Sequence, residues 1–267
     1  MAHDTTTAPQ QGFAFIGKIL ALKPQNFHQV RAILFSAWSF AAPLSIEVLD
    51  QNKYLFIVSH ENHYKNIINQ GPWNVRSSLL LLQPRSPALS IEEIKLNLCA
   101  FWIQVHDLPL QYMTTQNAIR IGKGIGKILQ LDNDNSTELV CRRFIRFKIE
   151  IDTSLPLALG FNMSCDGEDT CWTSFLYERL DDYCSSCGLI DHKSGFCPSP
   201  TSSIPPDKYK RSLRAPLYGS TRLISKMQTE DSDLGISLAA FVGNSPSSVV
   251  PSQMLEPYGS MYGQLLS

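Results

Sequence analysis

Four potential metal ligands lie within one short stretch of this chain, spaced as Cys-x2-Cys-x4-His-x4-Cys. They are Cys184, Cys187, His192 and Cys197. Structural zinc sites use four thiolate or imidazole ligands in a tetrahedron, and a tight loop of this length can supply all four. Because so short a segment cannot build its own core, the metal would supply its folding energy, about 10 kcal/mol in zinc-finger peptides. The motif therefore predicts one structural Zn²⁺ with no open position for catalysis.

Length and composition place the rest of the chain among globular proteins. It has 267 residues, of which 43% are apolar and 18% charged, enough to build a core in one or two domains. No run of 18 apolar residues occurs, which argues against a membrane span. The polar residues 1–11 do not form a signal peptide. We therefore expect an intracellular protein, in the nucleus or cytoplasm, whose cysteines are reduced thiols or metal ligands.

The net charge of −1 hides an uneven distribution along the chain. Residues 13–85 carry seven basic and three acidic side chains, and residues 120–150 carry seven and four. Residues 151–197, which include the four ligands, carry two basic and eight acidic side chains. A basic body is thus followed by an acidic segment, and any function must account for both.

Residues 13–85 have the hydrophobic pattern of a ferredoxin-like β-α-β-β-α-β domain, in an α+β fold. Asn26 is a candidate helix cap, and Gly71-Pro72 ends the second helix. The predicted strands are 13–22, 44–49, 53–59 and 73–83, and the predicted helices are 27–38 and 61–69. Tyr54 and Phe56 alternate on one strand. They either pack in the core, which we favour, or stack on bases from the free face of the sheet.

A second, smaller α+β unit is predicted over residues 86–176. Its helix begins after Thr114 or Thr115 and runs to residue 121. Its predicted strands are 101–105, 127–131, 143–151, 155–163 and 170–180. The zinc knuckle then occupies 177–198. A disordered lead at 1–12 precedes the first domain, and a Ser/Pro-rich disordered tail at 199–267 follows the knuckle.

Two groups of side chains are candidates for contact with nucleic acid. In the knuckle, Tyr183 and Phe196 are possible stacking residues and Lys193 is the one basic residue. The second group is the densest basic cluster of the predicted folded part, formed by Arg142, Arg143, Arg146 and Lys148. Arg146 and Lys148 share one strand face, which is either a stripe that contacts phosphates or an ordinary solvated sheet face.

The ligand spacing resembles the zinc knuckle of retroviral and retrotransposon nucleocapsid proteins. Upstream, the order of several short motifs is similar to a plant domain of unknown function that precedes CCHC knuckles in proteins related to LINE-type retrotransposons. Those motifs are Gly71-Pro72-Trp73, Phe101 to His106 with Leu108-Pro109, Asn117-Ala118, Ile121-Gly122, Ile125-Gly126, Asp152 with Pro156-Leu157, and Tyr177 to Leu180. Ser185, Asp191, Asp107 and Asp181 depart from the family pattern. They stand where an aromatic residue, two glycines and a proline are usual, respectively.

The resemblance implies a gag-like nucleic-acid-binding protein without catalytic activity, either the product of a retrotransposon or a domesticated relic. We expect the nucleic acid to be single-stranded RNA or DNA and leave self-association open. The acidic knuckle leaves a second interpretation open, in which the knuckle contacts other protein chains. An enzyme is the least favoured reading, because the chain lacks a nucleophile elbow, a Tyr-x-Asp-Asp motif and an Asp-Thr/Ser-Gly motif. We therefore expect neither a small-molecule substrate nor a membrane partner.

Overall fold

The structure is a computed structural model that describes residues 12–86, 88–90, 92–132, 143–164, 170–198, 209 and 212–216. The chain divides into two units, one ending at Asn97 and the other starting at Leu98. Each unit contains a five-stranded antiparallel sheet, so the α+β class is confirmed. None of the helices in the described residues has the length and apolar character of a membrane span. The predicted domain boundaries are not tested and stay predictions.

The first unit follows the predicted order of elements with one addition. Its strands are β1 (Phe13–Ile19), β2 (Leu44–Asp50), β3 (Lys53–Val58), β4 (Trp73–Val75) and β5 (Ser78–Pro84), and its helices are α1 (Phe27–Ala37) and α2 (Glu61–Gln70). The sheet order is β2-β3-β1-β5-β4. The predicted cap is confirmed, because the Asn26 side chain accepts a hydrogen bond from the backbone N–H of Gln29.

The predicted final strand at 73–83 is wrong in one respect, since it is a hairpin of β4 and β5. Arg76 and Ser77 form its two-residue turn, with φ angles of 50° and 66°. Two-residue hairpin turns with positive φ at both positions usually contain Asn or Gly, which tolerate that conformation. An Arg-Ser turn gives no such signal, and for this reason the pattern reads as one strand.

Aromatic rings fill the core between this sheet and its helices. Phe15 stacks on Phe56 with ring centroids 5.0 Å apart, and Trp38 meets Phe56 edge-on at 5.2 Å. Tyr54 and Phe56 belong to this buried cluster, which confirms that they pack in the core. They are therefore not exposed for base stacking.

The second unit repeats the strand order of the first. Its strands are β6 (Leu98–His106), β7 (Lys127–Leu131), β8 (Ile145–Asp152), β9 (Gly160–Ser164) and β10 (Thr170–Tyr177). The described residues of this unit contain one α-helix, α3 (Thr115–Ile125). The order β7-β8-β6-β10-β9 places the strands as in the first sheet, counted from the start of each unit. Between β8 and β9, where the first unit has a helix between β3 and β4, this unit has only the short connection 153–159.

Close packing of α3 explains two of its glycines. Thr114 caps the helix by accepting a hydrogen bond from Asn117 N–H at 3.2 Å, as predicted. The helix continues past residue 121, to Ile125. Gly122 lies against Ile128, where a Cβ atom would be only 2.8 Å from that side chain. At Gly126, which ends the helix, a Cβ atom would overlap the carbonyl oxygen of Glu150. These glycines let the helix approach β7 and β8 closely.

Candidate metal centre and its surroundings

The four predicted ligands lie on a tight turn that begins shortly after β10. The N–H of Gly188 donates to the carbonyl of Cys184 at 2.8 Å, and the N–H of Cys184 donates to the carbonyl of Leu189 at 2.7 Å. Gly188 has a φ of 81°, in the left-handed region that favours glycine. These hydrogen bonds close the turn that contains Cys184 and Cys187. The chain after the turn brings His192 and Cys197 close to them.

The donor atoms of Cys184, Cys187, His192 and Cys197 lie within 4.8 Å of one another. Cys187 Sγ and His192 Nε2 are 3.4 Å apart. Two ligands of one tetrahedral zinc ion, with bonds of about 2.3 Å to sulfur and 2.0 Å to nitrogen, are roughly 3.5 Å apart. The first three residues are buried and Cys197 is half-buried. The site therefore fits zinc in ligand type, in ligand number and in this distance.

The backbone around Cys184 favours its thiolate form. Burial opposes ionisation, but hydrogen bonds from the backbone N–H groups of Cys187 and Ser186 outweigh it and lower the pKa of Cys184 to about 6. Burial, together with the interactions with Cys184, raises the pKa of Cys187 to about 12. A cation is the natural partner of such a cluster, because it removes the repulsion between neighbouring thiolates.

Part of the region predicted as a disordered tail packs against the knuckle. We call Tyr209 and residues 212–216 the C-terminal strap. The Tyr209 side chain is buried against Gly188, and a Cβ atom at Gly188 would overlap its ring. Leu213 O accepts from Tyr177 N–H at 2.7 Å, and Ala215 N–H donates to Tyr177 O at 2.9 Å. The strap thus joins the knuckle to the last strand of the sheet.

The connection 153–159 also contacts the knuckle. Leu157 N–H donates to Gly188 O at 3.0 Å, and the buried hydroxyl of Tyr177 donates to Ala158 O at 2.9 Å. Leu157 and Ala158 are buried. The knuckle, the strap and this connection therefore form one packed group in the second unit.

The predicted stacking residues of the knuckle differ in exposure. Phe196 is 67% exposed, on the short 3-10 turn Ser194–Phe196. Tyr183 is half-buried, and its hydroxyl accepts from Leu213 N–H at 3.2 Å. Lys193 is exposed and pairs with Asp182 at 2.8 Å. Among the three, Phe196 has the most accessible apolar surface.

The predicted basic stripe on β8 is not an exposed one. The Arg146 guanidinium donates to both carboxylate oxygens of Glu178, at 2.7 and 2.8 Å, and lies 3.7 Å from the centre of the Trp102 ring. Lys148 is only 6% exposed, and burial lowers its pKa. The charge of Arg146 is balanced by Glu178 and the Lys148 side chain is buried, so neither residue presents a free cation. Arg143 is exposed, and Arg142 lies outside the described residues.

Sequence reasoning missed two contributors to this region. The strap left a weak signal, since Tyr209 and Leu213 are apolar residues in a polar tail. The other is Asp191, which stands where knuckles usually have glycine. Its Oδ1 accepts a hydrogen bond from His192 Nδ1 at 2.6 Å.

Two stretches of the chain match known protein families. Residues 10–93 match a family model described as a domain of unknown function (DUF4283), and residues 151–199 match one described as a zinc knuckle. The second match begins near the end of β8, so it spans β9 and β10 as well as the four ligands.

Two individual proteins resemble parts of the chain. An uncharacterized protein of Arabidopsis thaliana is 34% identical over 98 residues, which cover 36% of this chain and 31% of that protein. The chain thus matches less than a third of that relative. A solved structure of the Sex-lethal RNA recognition domains 1 and 2 from Drosophila melanogaster has 16% identity and a TM-score of 0.24, covering 52% of this chain and 85% of that one. The chain therefore combines a stretch that matches a domain of unknown function with a zinc knuckle, and it has an uncharacterized plant relative.

Proposed function

We propose that this protein is a gag-like, retrotransposon-derived protein that binds one structural zinc ion and single-stranded nucleic acid, without catalytic activity. The observation that carries the proposal is the buried Cys₃His cluster next to the exposed ring of Phe196. All four ligands come from the protein, so the ion would be structural. The order of a domain of unknown function and a knuckle supports the gag-like assignment. An intracellular location, nuclear or cytoplasmic, suits ligand cysteines that must stay reduced.

Phe196 is the residue we propose to contact a base. An unpaired base has an apolar face, and stacking it on an aromatic side chain contributes about 1–3 kcal/mol. Phe196 has the required exposure, whereas the hydroxyl of Tyr183 is used by the strap. Among the candidate basic residues, Arg143 and Lys193 are exposed, and Lys193 lies three residues before Phe196. We propose these two as phosphate contacts.

The charges near the knuckle limit the expected affinity. Asp182 pairs with both Lys193 and Arg214, at 2.8 and 3.3 Å. These pairs lower the positive potential that would attract phosphate. We therefore expect weak binding that falls further as salt rises, because phosphate contacts depend on counterion release.

The same pairs favour a second candidate function, in which the knuckle contacts protein. A surface whose basic groups are already balanced by carboxylates attracts phosphate only weakly but tolerates a polar protein partner. A second copy of this chain is one such partner, and self-association is then the expected activity.

A binding titration separates the two functions. The zinc-loaded full chain is titrated with a labelled single-stranded RNA and with the same sequence as DNA, at about 50 and 200 mM salt. Phe196→Ala is expected to reduce affinity by about tenfold through the lost stacking. Leu110→Ala is the matched control, because Leu110 is 60% exposed and lies outside the knuckle.

Each outcome assigns the function differently. Salt-dependent binding that Phe196→Ala weakens and Leu110→Ala leaves unchanged supports the nucleic-acid function. Absence of binding at about 50 mM salt by a zinc-loaded chain contradicts it. In that case, concentration-dependent association measured by analytical ultracentrifugation supports the protein-contact function.

A further inference from the structure

The ring of His192 is held on its outer side by the preceding residue. His192 Nδ1 lies 2.6 Å from Oδ1 of Asp191, and the His192 side chain is only 1% exposed. A carboxylate only accepts hydrogen bonds, so the hydrogen of the neutral imidazole must be on Nδ1. The lone pair is then on Nε2, which is the atom 3.4 Å from Cys187 Sγ. The bond to Asp191 thus selects the form of the imidazole that can ligate a metal through Nε2.

We propose that Asp191 is a positioning residue of the zinc site, which fixes the tautomer and the ring orientation of His192. The inference rests on the proposed function, since it requires that the cluster binds zinc. Histidine ligands commonly donate their second N–H to a carboxylate or carbonyl, and loss of that partner typically costs 10–100-fold in metal affinity. A glycine at this position, usual in knuckles, has no side chain to provide this bond.

The geometry distinguishes Asp191 from the other acidic residues of the region. Asp182 pairs with Lys193 and Arg214, which are not ligands. Asp191, in contrast, accepts a hydrogen bond from a predicted ligand, His192. Removing either residue changes the local charge by the same amount, but only the Asp191 change frees the imidazole.

The test measures zinc affinity of the full chain by competition with a chromophoric chelator. Asp191→Gly and Asp191→Ala are expected to weaken zinc binding by about 10–100-fold. Asp191→Asn is expected to retain part of the affinity, because its amide oxygen can still accept the hydrogen bond. Asp182→Asn is the matched charge control and is expected to leave the affinity within about threefold, because its partners Lys193 and Arg214 are exposed side chains outside the predicted ligand set.

A second set of variants separates positioning from a general effect of charge. In a His192→Cys background the site has four cysteines and no imidazole to orient. Asp191→Gly is then expected to change zinc affinity by less than about twofold, since sites that share no interaction behave independently. An equal loss in both backgrounds would overturn the proposal.

A spectroscopic readout covers the case in which His192→Cys does not fold. Imidazole ¹⁵N shifts of the zinc-loaded chain are expected to show hydrogen on Nδ1 and metal on Nε2 of His192. Metal on Nδ1 would overturn the inference, while the zinc function itself would stand. Absence of any zinc binding in the unmodified chain would instead refute the proposed function.

Discussion

The two units share one strand order but complete their cores differently. In the first unit, α1 and α2 bring Val30, Leu34 and Ile67 into a core with the rings of the sheet. The second unit has α3 and only the connection 153–159 where the first has α2. The knuckle and the strap pack there, through hydrogen bonds to Leu157 and Tyr177. One strand order thus occurs once with a helix at this point of the chain, and once with a connection that is hydrogen-bonded to the segment of the candidate metal cluster.

The difference implies that the two units depend differently on metal. A helix contributes to the core through its own apolar face. The knuckle is a tight turn that carries the four predicted ligands and contacts Tyr209. We therefore expect zinc to stabilise the second unit and to leave the first unchanged.

Removal of a zinc ligand is expected to have the largest effect. Cys187→Ser breaks the cluster and should destabilise the knuckle together with the strands that it contacts, by several kcal/mol out of the ~10 that zinc contributes in peptides. Amide hydrogen exchange, resolved by peptide, measures this effect. Protection should fall in β9, β10 and the connection 153–159, and should be retained in β1 and β3.

Cys99→Ser is the control for this experiment. Cys99 is a buried cysteine of β6 that does not belong to the cluster. Its replacement should leave zinc content unchanged. Equal loss of protection in both units on Cys187→Ser would break the comparison, because the metal would then support the whole chain.

A smaller effect is expected at the contact between the knuckle and the strap. Gly188→Ala adds a methyl group that overlaps the Tyr209 ring, at a φ of 81° that alanine rarely adopts. Backbone strain and overpacking together should lower the free energy of unfolding of the second unit by about 2–3 kcal/mol. Urea unfolding followed by hydrogen exchange provides the measurement.

Gly195→Ala is the matched control within the same knuckle. A Cβ atom at Gly195 has no neighbour within 4 Å. We expect a change below about 0.5 kcal/mol, as for other surface substitutions. If both alanines have the same effect, Tyr209 is not a structural part of the knuckle.

Local sequence patterns predict where the helices, strands and turns of each unit lie. They predict less well which residues pack against these elements. The turn at Asp50-Gln51-Asn52 and the helix caps Asn26 and Thr114 have clear sequence signals, and the structure contains them. The hairpin at Arg76-Ser77 has no such signal. Apolar residues at 155–159 read as the start of a strand, but Leu157 and Ala158 are buried beside the knuckle instead. Their partners are distant in sequence, so no local pattern reveals them.

The departures from the pattern that the sequence resembles become informative only with the structure. Asp107 stands where glycine is usual, and it has a φ of 63°. That value explains the usual glycine, and aspartate is among the residues that tolerate it. The role of Asp191 depends on a bond to His192, and the sequence spacing alone does not show which ring nitrogen it reaches. The sequence spacing predicts the four ligands, but it does not predict which residues surround them.

Two ion pairs, one in each unit, have the same N–O distance of 2.7 Å and are expected to differ in energy. In the second unit, Arg146 and Glu178 are 19% and 21% exposed, and in the first unit Lys65 and Glu61 are 58% and 56% exposed. A well-shielded pair with two hydrogen bonds is costly to break, whereas an exposed pair is screened by water. We expect Glu178→Gln to cost about 2 kcal/mol and Glu61→Gln about 0.3 kcal/mol, both measured by urea unfolding.

The pH dependence of Glu178→Gln tests whether the charge of Glu178 is the source of its effect. Burial acts to raise the pKa of Glu178, but hydrogen bonds from Arg146 and Gln104 outweigh it and keep the pKa below its ordinary value. A carboxylate with a depressed pKa stabilises the folded state above its unfolded pKa of about 4.3, and this contribution is lost as the pH falls through the folded value. The stability difference between the unmodified chain and Glu178→Gln should therefore be constant from pH 7 to 5 and shrink below about pH 4. A difference that does not change with pH would show that Glu178 stabilises the second unit by packing and not by its charge.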